Sequence, residues 1–150
     1  MTASAASTWF AVGAIIFMAA GGGHALLTLV DTVRPIWFAP VDRSVKGVME
    51  GTGMRFRALF AGDETRPSMW AFWLGFNVTH GLGAFAFGLL CLLISTHDFA
   101  LVGQIGALRP ITVAISAAYL AVALRYWFWA VRILTGAATV CFALAAILSA

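Results

Sequence analysis

The sequence predicts an all-α integral membrane protein: a four-helix bundle with one amphipathic interfacial helix in its first loop. Three observations predict it. Charged residues are 10% of 150, against about 25% in a typical soluble domain, too few to keep the surface of a compact domain wet. Hydrophobic residues reach 62%, with a mean hydropathy of +0.95. These residues gather into four runs, each near the roughly 20 residues that a spanning helix needs. One domain is expected, with room for a single substantial loop.

The runs cover about residues 9–30, 69–94, 110–126 and 133–149, and none carries a charge in its middle. Residues 1–8 lack a basic stretch, and the run that follows is too long for the core of a signal peptide and lacks a cleavage site. It is therefore expected to be a retained spanning helix. Pro110 suits a first helical turn, where a missing N–H costs nothing. Trp9, Trp70, Trp73, Trp127 and Trp129 lie near run ends, where amphipathic rings favour the membrane interface.

The loop over residues 31–68 has helical periodicity from about 41 to 60. Val41, Val45, Val48, Met49, Phe56, Leu59 and Phe60 fall on one stripe roughly 120° wide, with Arg43, Lys46, Glu50 and Arg57 opposite. Asp42, after Pro40, is the expected N-cap. Gly51 and Gly53 weaken the middle and Arg55 interrupts the stripe. The pattern predicts a helix lying in the interface and broken near the glycines. The alternative is a structured loop packed over the bundle.

Basic residues set the expected orientation. Arg34, Arg43, Lys46, Arg55, Arg57 and Arg66 occupy the first loop, and Arg125 and Arg132 flank the third connection; only Arg109 lies on the other side. Positive charge favours the cytoplasmic face, so the first and third loops are expected there, with both termini periplasmic or exterior, as in a bacterial inner membrane. The net charge of +3 is read as this topological charge, and no nucleic-acid partner is inferred from it. Cys91 and Cys141 lie in apolar stretches without metal-ligand spacing. Neither a disulfide nor a metal site is expected from them.

Polar residues inside apolar runs need a partner or a purpose. In the first run Gly13, Phe17, Ala20, Gly21, His24, Thr28 and Asp31 share one helical face; in the second Trp73, Asn77, His80, Gly81, Ala84, Gly88 and Cys91 do. Thr112, Ser116, Tyr119, Ala123 and Tyr126 form the third face, and Arg132, Thr135, Thr139, Ala143 and Ala146 the fourth. Small and polar residues mixed in this way line membrane helix interfaces. Counting about 1.5 Å per residue from the cytoplasmic ends puts His24, Tyr119 and Thr139 roughly 10 Å inside and Asn77 about 13 Å inside. His80 and Ser116 fall one turn deeper. The expected arrangement is a polar layer of His24, Asn77, Tyr119 and Thr139, with His80 and Ser116 above it and Asp31, Arg125 and Arg132 at its cytoplasmic mouth.

Such a layer can be a self-satisfied hydrogen-bond network that sets helix register, or the lining of a site for a lipid, quinone or other small lipophilic molecule. Two histidines flanked by glycines also raise b-type haem. The helical rise offsets His24 from His80 by about 8 Å, which opposes shared axial ligation. No nucleophile elbow, paired-histidine helix motif or carboxylate cluster appears. Asp63 and Glu64 beside Arg66 read as a solvated turn, and seven residues separate His24 from Asp31.

The run Gly75-Phe76-Asn77-Val78-Thr79-His80-Gly81-Leu82-Gly83 resembles an element found in a family of small, uncharacterised bacterial membrane proteins. The spacing His24-x6-Asp31 and the run Arg125-Tyr126-Trp127-Phe128 are similar to the same family. The resemblance covers most of the chain. It implies a four-helix membrane protein and brings no activity or cofactor. The leading expectation is a non-catalytic accessory or structural membrane component, with a membrane protein partner or a second copy, whose polar core can hold a lipophilic ligand. The alternatives are a redox protein using His24 and His80 with haem b or a quinone, and a small-molecule transporter. An intramembrane carboxylate for proton coupling is missing, which weakens the last.

Overall fold

Apolar runs of this length satisfy their backbone internally, and they do so as helices. The computed structural model describes residues 2–54 and 67–149, with side chains from residue 5, and has six α-helices among them. These are α1 (Thr2–Val33), α2 (Arg43–Gly51), α3 (Met69–His97), α4 (Ala100–Gln104), α5 (Leu108–Tyr126) and α6 (Trp129–Leu148). The fold is all-α. Four helices, α1, α3, α5 and α6, are long and apolar enough to cross a membrane. Each expected run falls on one of them. Helix α1 exceeds its run at both ends, because the Ala, Ser and Thr residues before Trp9 do not oppose helix.

Helix α4 lies between the second and third apolar runs. The Asp98 carboxylate accepts the Ala100 N–H at 3.1 Å, and the short turn buries Val102. Helix α2 begins as expected: Asp42 accepts the Ser44 N–H at 2.8 Å, and hydrogen bonding from the Ser44 hydroxyl and then from this N–H holds its carboxyl below the usual carboxylate range. It ends at Gly51. Thr52 is extended, and Gly53 pairs with Ser68 in an isolated antiparallel bridge. The amphipathic helix is therefore nine residues long and stops at the glycines. The rest of the expected segment, with Arg55, Phe56, Arg57, Leu59 and Phe60, lies outside the described residues, as do Asp63, Glu64 and Arg66.

The chain packs as two compact units, Met1–Gly22 with Gly83–Ala150, and Gly23–Leu82. In the first, the fully buried Phe142 meets Phe10 at 5.2 Å, Phe87 at 5.6 Å and Phe17 at 6.1 Å between ring centroids. Aromatic side chains this large need small residues opposite them. A Cβ on Gly13 would stand 3.2 Å from Cys141 and Phe142. A Cβ on Gly88 would stand 2.6 Å from the Ala14 carbonyl oxygen, so α1 and α3 meet backbone to backbone there. The Ser7 and Ser95 hydroxyls lie 3.2 Å apart toward one end of the same helix pair. Cys91 and Cys141 are buried free thiols.

The face expected for α6 is corrected. Its buried residues are Thr135, Ala138, Cys141, Phe142 and Ala145, not the set through Thr139, Ala143 and Ala146. The face is turned by one residue, about 100°. Burying the Phe142 ring outweighs burying the small polar side chains that suggested the other face.

Candidate functional site

The Gly23–Leu82 unit holds the densest group of polar side chains. Helical spacing brings His24, Thr28 and Asp31 to one face of α1, and Trp73, Asn77 and His80 to one face of α3. Thr28, Asp31 and Asn77 are all 1% exposed or less. Such groups must be satisfied inside the protein. The Thr28 hydroxyl donates to the His24 carbonyl at 2.8 Å. The Asn77 amide nitrogen donates to the Trp73 carbonyl at 2.8 Å, which turns its Oδ1 toward His24 Nε2 at 3.2 Å. An amide oxygen can only accept, so the His24 ring carries its proton on Nε2.

Asp31 ends the α1 face with a different task. Its Oδ1 accepts the N–H groups of Ile36 at 2.8 Å and Trp37 at 2.9 Å, and its Oδ2 accepts that of Phe38 at 2.6 Å. The carboxylate thus folds residues 36–38 back against the helix end. Phe38 then lies edge-on to His24, ring centroids 4.6 Å apart, and its carbonyl accepts the Trp73 indole N–H at 3.1 Å. The result is a closed circuit from Asp31 through Phe38 to Trp73, Asn77 and His24. His80 completes the group, edge-on to His24 at 5.9 Å and stacked on Phe76 at 6.1 Å.

The histidines come closer than the sequence count allows. Helix α1 runs to Val33 rather than to about residue 30, so depths measured from its end shift by about 4.5 Å. Most of the expected offset disappears. Ring contact does not make a haem site of the pair. Bis-histidine ligation needs two ring nitrogens facing an iron across a flat macrocycle, whereas His24 Nε2 is held by Asn77 and the rings meet edge to face. Among the described residues no group of three or more His, Cys, Asp or Glu side chains could hold a metal ion.

No family model, curated protein or solved structure matches this chain. The chemistry of the group is therefore read from its own contacts.

The other expected site residues belong to the first compact unit, Met1–Gly22 with Gly83–Ala150. The buried Ser116 hydroxyl donates to the Val113 carbonyl at 2.9 Å, and Thr139 donates to Thr135 at 2.7 Å, each within its own helix. The Tyr119 ring stands perpendicular to Phe17 at 5.3 Å. Arg125 and Arg132 are exposed at the α5–α6 turn. The Arg125 guanidinium lies 5.4 Å from the Tyr126 ring centre, and Arg132 Nε donates to the Trp127 carbonyl at 2.7 Å. Asp31, expected at a mouth with these arginines, spends its carboxylate on the N–H groups of residues 36–38 within its own unit. Phe38 was missed as a site residue. Only the restriction that Pro35 places on Arg34, which ends α1, hinted that the chain turns back there.

Proposed function

We propose that this chain is a non-catalytic, multi-pass membrane protein, an accessory or structural component whose circuit of His24, Asn77, Trp73, Phe38 and Asp31 sets the register of α1 and α3. The observation that carries this reading is how the polar groups are used. The Asp31 carboxylate binds three backbone N–H groups, and His24 Nε2 binds Asn77. A satisfied network of this kind rigidifies a fold, which supports a structural role. Its working partner is a membrane protein or a second copy of the chain.

Asn77→Leu tests the reading. The substitution leaves the His24 Nε2–H without its acceptor, and a stability loss of about 1–2 kcal/mol is expected in detergent unfolding. Wild-type protein purified in mild detergent should be colourless, carry no stoichiometric quinone, and bring a protein partner that the variant loses. A Soret band that His24→Ala abolishes, or a quinone present at one per chain, would overturn it.

We place the protein in a bacterial cytoplasmic membrane with the first and third loops inside, since eight of its nine basic residues lie there. A Ser44→Cys variant should react with a membrane-impermeant maleimide in inverted vesicles and not in intact spheroplasts. The reverse pattern would invert the topology.

A further inference from the structure

The loop that leaves α1 and helix α2 enclose an open cleft of about 570 Å³. Among the described residues three cations line it, Arg34, Arg43 and Lys46, against one carboxylate, Glu50. Lys46 forms an ion pair with Glu50 and lies over the Trp70 ring, centred 5.1 Å away. Arg34 and Arg43 have no carboxylate partner among the described residues. The cleft keeps a formal surplus of two positive charges.

Its walls are prepared. The Asp31 carboxylate holds the Ile36 N–H at 2.8 Å, and Pro35 and Pro40 restrict φ on the loop side. Its lining also carries bare apolar groups: Val33 and Ile36 are each more than half exposed, and no residue of α2 is buried. Cations inside a cleft with bare aliphatic groups beside them match a molecule that is anionic at one end and hydrocarbon at the other. A soluble anion would have no use for those groups. Arginine forks also suit phosphate oxygens better than they suit a zwitterionic head in which choline cancels the charge.

We propose that this cleft binds the phosphodiester headgroup of an anionic phospholipid, with Arg34, Arg43 and Lys46 on the phosphate and Val33 and Ile36 against the acyl chains. The site rests on the reading that α1 inserts in a membrane, which brings the end of that helix to headgroup depth.

The test is native mass spectrometry of the full chain in detergent, with dioleoyl phosphatidylglycerol or dioleoyl phosphatidylcholine added. Phosphatidylglycerol should be retained roughly thirtyfold more, the size expected for two interfacial cations. The double variant Arg43→Gln/Lys46→Gln should lose that preference, and Arg132→Gln, outside the cleft, should keep it. Arg34→Gln is read in the same way should the double variant lose its helical circular dichroism. Equal retention of both lipids, an unchanged preference in the cleft variants, or an equal loss in Arg132→Gln would overturn the proposal. Displacement of the lipid by millimolar inorganic phosphate would assign the cleft to a soluble anion and overturn it too. Carbonate extraction separates the two levels: a chain released from membranes defeats the membrane reading, whereas one that stays and shows no lipid preference defeats the cleft alone.

Discussion

Asp31→Ala is expected to destabilise this protein more than any other single truncation of a polar side chain. The carboxylate is 1% exposed and accepts three N–H groups at 2.6–2.9 Å. Each donor left without an acceptor costs about 1–3 kcal/mol when water cannot reach it. Ile36 and Trp37 are exposed and can rehydrate in part, so the expected total is roughly 3 kcal/mol rather than the full sum. The damage extends to Phe38, whose ring covers His24 and whose carbonyl receives the Trp73 indole. Asp31→Asn should lose about half as much. Its remaining oxygen can serve Ile36 and Trp37, while its NH2 group meets the Phe38 N–H donor to donor. The measurement is unfolding in mixed detergent micelles. A loss for Asp31→Ala below about 0.5 kcal/mol, the usual range of surface substitutions, would show that the loop does not need its anchor.

Gly88→Ala should be nearly as severe, for a steric reason. The added methyl would lie 2.6 Å from the Ala14 oxygen and 2.7 Å from the Met18 nitrogen. Both are backbone atoms of α1, so no side chain can swing aside and the helices must separate. Overpacking of this kind costs about 1–3 kcal/mol and here reaches the upper end. Neighbouring glycines provide the contrast. Among the described residues a Cβ at Gly23 or Gly75 meets nothing within 4 Å, and Ala there should be neutral or stabilising by about 0.5–1 kcal/mol through helix propensity. The same unfolding assay ranks all three. If Gly88→Ala and Gly75→Ala behave alike, close approach of α1 to α3 is not what holds that unit together.

Much of this was legible before any coordinates, and the parts that were not share a cause. Uncharged runs of about 20 residues have one way to satisfy their backbone in an apolar solvent, so α1, α3, α5 and α6 follow from the sequence. The face from Gly13 to Asp31 could be read because small and polar residues recur at helical spacing, and Gly13, Phe17, Gly21, Thr28 and Asp31 are all buried. The α6 face was misread because the same criterion gives no weight to a large ring such as Phe142. For Asp31 the periodicity gives a helix face and nothing more, because it ends where the helix ends. The three N–H groups that Asp31 binds lie in a non-repeating segment after Pro35, where spacing carries no signal. The layer of His24, Asn77, Tyr119 and Thr139 relied on depths counted from helix ends, and three extra residues on α1 are enough to shift that count.

The four long helices differ in length, which bears on the bilayer that suits them. Counted at about 1.5 Å per residue, α5 and α6 measure about 28 and 30 Å, close to the hydrocarbon thickness of a typical membrane. The helical spans of α1 and α3 have 29 residues each and reach about 44 Å, polar residues near their ends included. No single thickness suits both pairs when all stand upright. A bilayer fitted to α5 and α6 leaves about 14 Å of surplus on each longer helix, which tilt or extension into the headgroup layer must absorb. Thickening the membrane relieves α1 and α3 and strains α5 and α6, so lipid chain length acts on the two pairs in opposite directions.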